Sequence, residues 1–426
     1  MPSICLYFQV HQPLRIKRYR VFDVGLDHEY FNDSSETNLN NKKILAKVSE
    51  KSYLPANKLL LELLKKYPQM RISYSFSGVI LEQLEADFPK VLKSFKRLVD
   101  TGRVEILSET HYHSLAFFYS LPEFESQVTL HKEKVKKVFG VTPCVFRNTE
   151  LAYSNELASW ADKKGYKAIL AEGWDTFLGW RSPNFVYKPV GTKKIKLLLK
   201  NYKLSDDVAF RFSEKSWGEW PLTADKFASW VSKLNGNGQV INLFMDYETF
   251  GEHQWEEHGI FEFLKELPAQ ILRHPDNDFV TVSEAAMRYP AMDELDVPTV
   301  VTWADTERDL SAWVGNAIQT SAISFLYSLE DKIISSADMK LIDSWRKLQT
   351  SDHFYYMCTK WFSDGDVHKY FNPYESPYDA FISFMNAASD LKLRLERKDK
   401  RKRQPLKRKG STSKKKIEID PKIVNL

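Results

Sequence analysis

Cysteine is scarce in this sequence. Cys5, Cys144 and Cys358 are odd in number, far apart and free of any CxxC spacing, which excludes a disulfide framework and a cysteine-built zinc site. Long apolar runs are missing too, since no stretch approaches the roughly 20 apolar residues that a membrane span requires. The opening segment MPSICLYFQV has no basic flank, and its apolar run is too short and too alternating for a signal peptide. A cytoplasmic location is therefore expected. No repeat of fixed period is present. An excess of charge of one sign is also lacking once the chain is divided. The formal net charge is +5, but residues 397–426 hold 13 Lys/Arg against 3 Asp/Glu, leaving 48 against 53 in the preceding 396 residues. The mildly acidic body carries no footprint for nucleic acid. The stretch KDKRKRQPLKRKGSTSKKK reads as a disordered basic arm.

What is abundant is aromatic. Phe, Tyr and Trp make up 14 % of the chain. Most of these rings serve to fill a large core, and the surplus suits the apolar faces of sugar rings. A chain of 426 residues fits one large α/β barrel with a helical appendage. The local patterns follow a βαβ rhythm. Ile4, Leu6, Phe8 and Val10 alternate as a strand that ends in His11-Gln12-Pro13. A helix follows over 55–67, with proline at its start, and RISYSFS at 71–77 is the next strand. Then come VEIL at 104–107, a helix over 122–139, a short strand near 144–147, a helix around 154–164 and KAILAE at 167–172. A variable stretch holding IKLLLK leads to a helix near 224–234 and to the strand QVINLFMD at 239–246. FVTVSEA at 279–285 closes the series. Near-continuous apolar strands separated by helices indicate a parallel sheet buried on both faces, most economically an irregular closed barrel of seven strands. Beyond Pro298 the periodicity is helical, over 307–334, 337–360 and 376–397. The expected organisation is a barrel over 1–295, a helical region over 296–396 and the basic tail over 397–426.

Polar clusters follow the strands or open the helical region: HQP at 11–13, SETHYH at 108–113, RNTELAYS at 147–154, MDYETFGEHQ at 245–254 and WADTERDLSAW at 303–313. Strand C-termini of a barrel face one site, so these clusters converge on a pocket of acids, histidines and aromatics. Such a pocket suits glycosidic cleavage, which needs one protonated and one ionised carboxyl. Residue type alone offers Glu109, Glu150, Asp246, Glu248, Glu252, Asp305, Glu307 and Asp309, and spacing does not choose among them. Position favours Asp246, which ends an apolar strand, and Glu150, just after a short one. Glu307 is expected to cap a helix. Glu252, His253 and His258 do not form an HExxH metal motif.

The clusters HQP, GRVEILSETHYHSL, FRNTELAYS, FMDYETFGEHQ and WADTERDLSAWVGN occur in the order of the five signature regions of glycoside hydrolase family 57. Over residues 1–320 the chain resembles that family's α-amylase-like group, which has a (β/α)7 barrel and a helical C-terminal region. The resemblance implies a retaining α-glucan hydrolase with Glu150 as nucleophile and Asp246 as general acid/base. It also implies that His11, Gln12, Glu109, His111, Trp303, Asp305, Asp309 and Trp313 bind substrate, with no metal or cofactor. Asp246 would need a raised pKa, for which Phe244, Tyr247 and Phe250 offer partial desolvation. The same chemistry serves 4-α-glucanotransferases and branching enzymes of the family. Readings from other classes are a metal-dependent carbohydrate deacetylase with zinc on His11, His111 and His113, and a non-catalytic glycan-binding homologue. The stretch 172–222, with Trp174, Trp180, Trp217 and Trp220, is expected to cover the cleft.

Overall fold

The structure is a computed structural model that describes residues 2–35, 37–360 and 367–403. Seven strands form its centre: β1 (Ser3–Val10), β2 (Ile72–Phe76), β3 (Val104–Ile106), β4 (Val145–Phe146), β5 (Ala168–Glu172), β6 (Lys196–Lys200) and β7 (Val240–Asp246). They make two parallel arcs, β3-β2-β1-β7 and β4-β5-β6. Isolated backbone hydrogen bonds join the arcs at both ends. Ser108 N donates to Val145 O and Arg147 N to Ser108 O at one seam, each at 2.9 Å, and Asn201 N donates to Asn242 O at 2.9 Å at the other. The seven strands thus follow one another round a ring whose seams are one or two backbone hydrogen bonds rather than ladders.

The alternation in β1 sorts residues between two buried layers instead of between core and solvent. Ile4, Leu6, Phe8 and Val10 pack outwards among the helices that follow β1, β2 and β7. Cys5 and Tyr7 point inwards against Leu107, Val145, Leu170, Leu198 and Phe244. A strand covered on both faces gains from apolar residues at every position, which is why the runs read as continuous. Helix boundaries follow local chemistry. Ser154 caps the helix Asn155–Lys163 by accepting from Leu157 N, and proline sits in the first turns of Leu54–Lys66 and Leu121–Phe139.

Two elements differ from the sequence reading. The seventh strand is β6, the IKLLLK segment. FVTVSEA supplies only a single bridge, from Phe279 to Ile4, before a helix starts at Val282. Thr281 and Glu284 form a capping box there, and this local cap outweighs the β-branched pattern. Beyond residue 297 the expected helices appear, among them Ala317–Tyr327, Met339–Lys347 and Pro377–Arg403, around their own apolar core. The last helix runs into the stretch expected to be an unstructured basic arm, and residues 404–426 of that arm lie outside the described residues. Glu307 caps no helix. It pairs with Lys360, and the next helix begins at Ser311. Among the described residues no helix is long and apolar enough to cross a membrane.

One side chain reinforces the second seam. Fully buried Asn242 donates from Nδ2 to Leu199 O at 2.8 Å. Asn242→Ala leaves that carbonyl without a partner in the barrel, so urea denaturation is expected to show a loss of about 1–3 kcal/mol.

Candidate active site

The C-terminal ends of the strands open into a cleft of about 850 Å³, lined from β1 by His11 and Gln12, from β7 by Asp246 and Glu248, and by Glu150 after β4. The helical region adds Trp303, Asp305, Asp352, Tyr355 and Tyr356. Its hold on the barrel is made partly by backbone and partly by side chains such as Arg346, which pairs with Glu123 at 2.9 Å. Ser351 N donates to His113 O at 2.9 Å, and Tyr153 and Val301 exchange hydrogen bonds of 2.9 and 3.0 Å.

Glu150 sits on the turn Thr149–Leu151 in left-handed backbone, φ 59°. Both its oxygens are engaged. Trp303 Nε1 donates to Oε2 at 3.0 Å, Ser351 Oγ donates to Oε1 at 2.8 Å, and His113 Nε2 stands 3.4 Å from Oε1. Burial pushes this carboxyl up, but hydrogen bonding and charge from His113 outweigh it and hold Glu150 below the ordinary glutamate value. Asp246 ends β7 in the opposite situation. Burial first, and then the negative charge of Glu150, raise it to about 6. Neighbouring Glu248 accepts from the Tyr53 hydroxyl, and burial and the charge of Asp246 push it up to about 8. Of the aromatics expected to desolvate Asp246, Phe244 lines the cleft, whereas Tyr247 and Phe250 pack beneath it against Phe8.

His11 is bracketed by Ser77 Oγ at 2.6 Å on Nδ1 and by Asp352 Oδ2 at 3.0 Å on Nε2, and its ring stacks 4.0 Å from that of His113. Asp305 lines the cleft in left-handed backbone, φ 55°, and accepts from His368 Nε2 at 2.8 Å. Behind Trp303 lies an ion cluster. Arg308 donates to Glu172 at 3.0 Å and to Trp303 O at 2.6 Å, while Lys200 lies 2.8 Å from Asp206 and 3.6 Å from Glu172.

Four of the expected substrate-binding residues do not reach the cleft. Glu109 is 0 % exposed and lies beneath it, accepting from His113 Nδ1 at 2.9 Å and from Gln9 Nε2 at 3.0 Å. His111 turns away, with Nε2 3.0 Å from Glu82. Its ring lies on Gly78, where a Cβ would come within 2.3 Å, so only glycine admits it. Asp309 is exposed and accepts from Ser311 N at the start of a short helix. Trp313 is 1 % exposed in the core of the helical region, where it backs the lining ring of Tyr355 at 6.0 Å. The tryptophans of 172–222 line no part of the cleft, and Trp180 is 90 % exposed; that stretch contributes Lys200, Asp206 and Phe210 instead.

Sequence reasoning gave no site role to Ser351 and Asp352. Their only signal is the polar triplet Ser351-Asp352-His353 in an otherwise helical pattern, and it lies outside every strand-end motif. The three histidines of the deacetylase reading do not converge. His11 and His113 have both nitrogens engaged, and His111 faces Glu82. Among the described residues no group of three or more His, Cys, Asp or Glu side chains is arranged to hold a metal ion.

Parallel strands feed one cleft in which Glu150 is held down and Asp246 is raised, the arrangement of an acid/base site. The model of glycosyl hydrolase family 57 matches residues 5–298, and the chain belongs to that family. A protein of Methanocaldococcus jannaschii named "Putative alpha-amylase" is 42 % identical over 400 residues, 91 % of this chain and 83 % of its own. An alpha-amylase of Pyrococcus abyssi is 25 % identical over 213 residues, 49 % of this chain but 32 % of its own, so this chain spans about a third of that relative. Among solved structures, the branching enzyme of Pyrococcus horikoshii superposes with a TM-score of 0.64 at 16 % identity, covering 87 % of each chain, a likeness of fold.

The raised pKa of Asp246 has a sign that can be checked. An aspartate near 3.9 when unfolded and about 6 when folded contributes stability below the lower value and loses it as pH rises through the higher one. Asp246→Asn is therefore expected to gain stability over the wild type between pH 4 and 7, measured as a denaturation midpoint whose difference widens with pH.

Proposed function

We propose that this family 57 protein hydrolyses α-glucans with retention of configuration, with Glu150 as nucleophile and Asp246 as general acid/base. The observation that carries this reading is the opposite displacement of two carboxyls in one cleft: Glu150 held down by His113, Asp246 raised to about 6. A retaining glycosidase needs that pairing. Glu150 would attack the anomeric carbon as the glycosidic C–O bond breaks, while the proton of Asp246 goes to the departing oxygen. Water, deprotonated by Asp246, would then attack the same carbon, and the carboxylate of Glu150 would leave.

The resemblance to named amylases supports the substrate class, and so do the rings of Trp303, Tyr355, Tyr356 and Phe210 along the cleft. We read residues 1–295 as the catalytic barrel and 296–396 as the region that completes the cleft, a division supported by the lining residues each part contributes. His11, Gln12, Trp303 and Asp305, all on the cleft wall, are read as substrate contacts.

Timed product analysis on maltoheptaose tests the reading. Shorter oligosaccharides are expected from the wild type, with Glu150→Gln slower by a factor of about a thousand or more. Longer chains that depend on Glu150 would instead make the protein a glucanotransferase or branching enzyme. The pH profile of kcat/KM should fall on its basic side near 6, where free Asp246 loses its proton. That limb should disappear in an Asp246→Asn variant assayed with an activated glycosyl fluoride, whose leaving group needs no proton.

A further inference from the structure

The cleft rests on a buried chain of charges that the proposed reaction does not itself use. Glu109 and His113 stand four residues apart, and the left-handed backbone of His113, φ 50°, turns its ring so that Nδ1 meets Glu109 and Nε2 faces Glu150. Glu109 is anchored on its other side by Gln9, and His131 donates from Nε2 to Phe76 O while Nδ1 accepts from the backbone N of Glu109. His131 is therefore a neutral prop. The neighbouring ring is also fixed. Asp352 can only accept, so Nε2 of His11 carries the proton, and Nδ1 accepts from the Ser77 hydroxyl, whose oxygen accepts from Ile80 N. Two imidazoles stacked at 4.0 Å do not both carry charge. The carboxylates on both nitrogens of His113 therefore place the cation there, with His11 neutral beside it.

The geometry points to Glu109 and His113 as a pair of positioning residues, in which Glu109, without touching substrate, acts through the His113 imidazolium to keep Glu150 ionised and oriented. This rests on the reading of Glu150 as nucleophile. The electrostatics agree: burial works against both charges, yet mutual pairing takes Glu109 down to about 2 and His113 up to about 9. The other charged groups bearing on Glu150 are Asp352, Arg147 and Asp246. Asp352 opposes its ionisation, Arg147 favours it, and Asp246 is itself raised by the charge of Glu150. When Glu150 becomes a glycosyl ester its negative charge disappears and His113 loses one partner. Release of the carboxylate restores that pairing, so the dyad favours the second step, and it serves the first by holding Glu150 ionised and oriented before attack.

The test is the acidic limb of kcat/KM on maltoheptaose, supported by the rate at which a fluorosugar traps the glycosyl-enzyme, with folding followed by near-ultraviolet circular dichroism. In the wild type the limb should lie below the ordinary glutamate value of about 4.3. Glu109→Gln and His113→Gln should each move it up by about one unit or more, with KM unchanged, and Glu109→Asp should return it part of the way. A wild-type limb at or above the ordinary value overturns the proposal without any variant. A limb that stays in place in whichever variant folds, with only kcat reduced, also overturns it. Failure of the parent reading is recognised separately, as absence of any wild-type turnover that Glu150→Gln abolishes.

Discussion

The upper end of the barrel is organised by one constraint: the carboxylates of Glu109 and Glu150 must be buried close together and still be paired. The His113 imidazolium meets that constraint by standing between Glu109 and Glu150. An unpaired carboxylate in such a place would take up a proton instead of remaining charged. Several polar contacts nearby are arranged around this cation. His11 stays neutral because it stacks on it, Gln9 and His131 hold Glu109, and Ser351 and Trp303 occupy the oxygens of Glu150.

The same region stores backbone strain. His113, Glu150, Leu151, Asp305 and Arg308 all adopt positive φ without being glycine, at a cost of about 1–3 kcal/mol each. The helical region makes this arrangement tenable. It bonds the backbone of His113 through Ser351 and that of Tyr153 through Val301, and it fixes Trp303 through the buried Arg308–Glu172 pair. The cleft is therefore a joint product of barrel and helices. A barrel alone would present Glu150 without the indole and hydroxyl that orient it.

Asp246 and Glu248 show what burying carboxyls at the cleft costs in stability. Both are raised by burial and by neighbouring negative charge, so both oppose folding once pH passes their shifted values. Carboxyls raised in this way are ones the fold tolerates rather than favours.

Much was legible in the sequence. Local patterns determined the strands at 3–10, 72–76, 168–172 and 240–246, the helices at 54–66, 121–139, 155–163 and 224–232 and the helical texture beyond residue 298, because period and capping depend on near neighbours. The order of the five motifs pointed to the family and to Glu150 and Asp246. Tertiary structure alone decided the rest. IKLLLK and FVTVSEA are both apolar, and only the ring of strands and the cap at Thr281 settled which became the seventh strand. Glu109, His111, Asp309 and Trp313 sit in motifs beside the site, yet their side chains were directed elsewhere by the turn geometry of His113, by Gly78 and by the core of the helical region. Asp352 and Ser351, far along the chain, reached the site through packing. Proximity in sequence reports which residues share an element; which atoms share a cavity depends on side-chain direction and long-range contact, and those exist only once the chain has closed on itself.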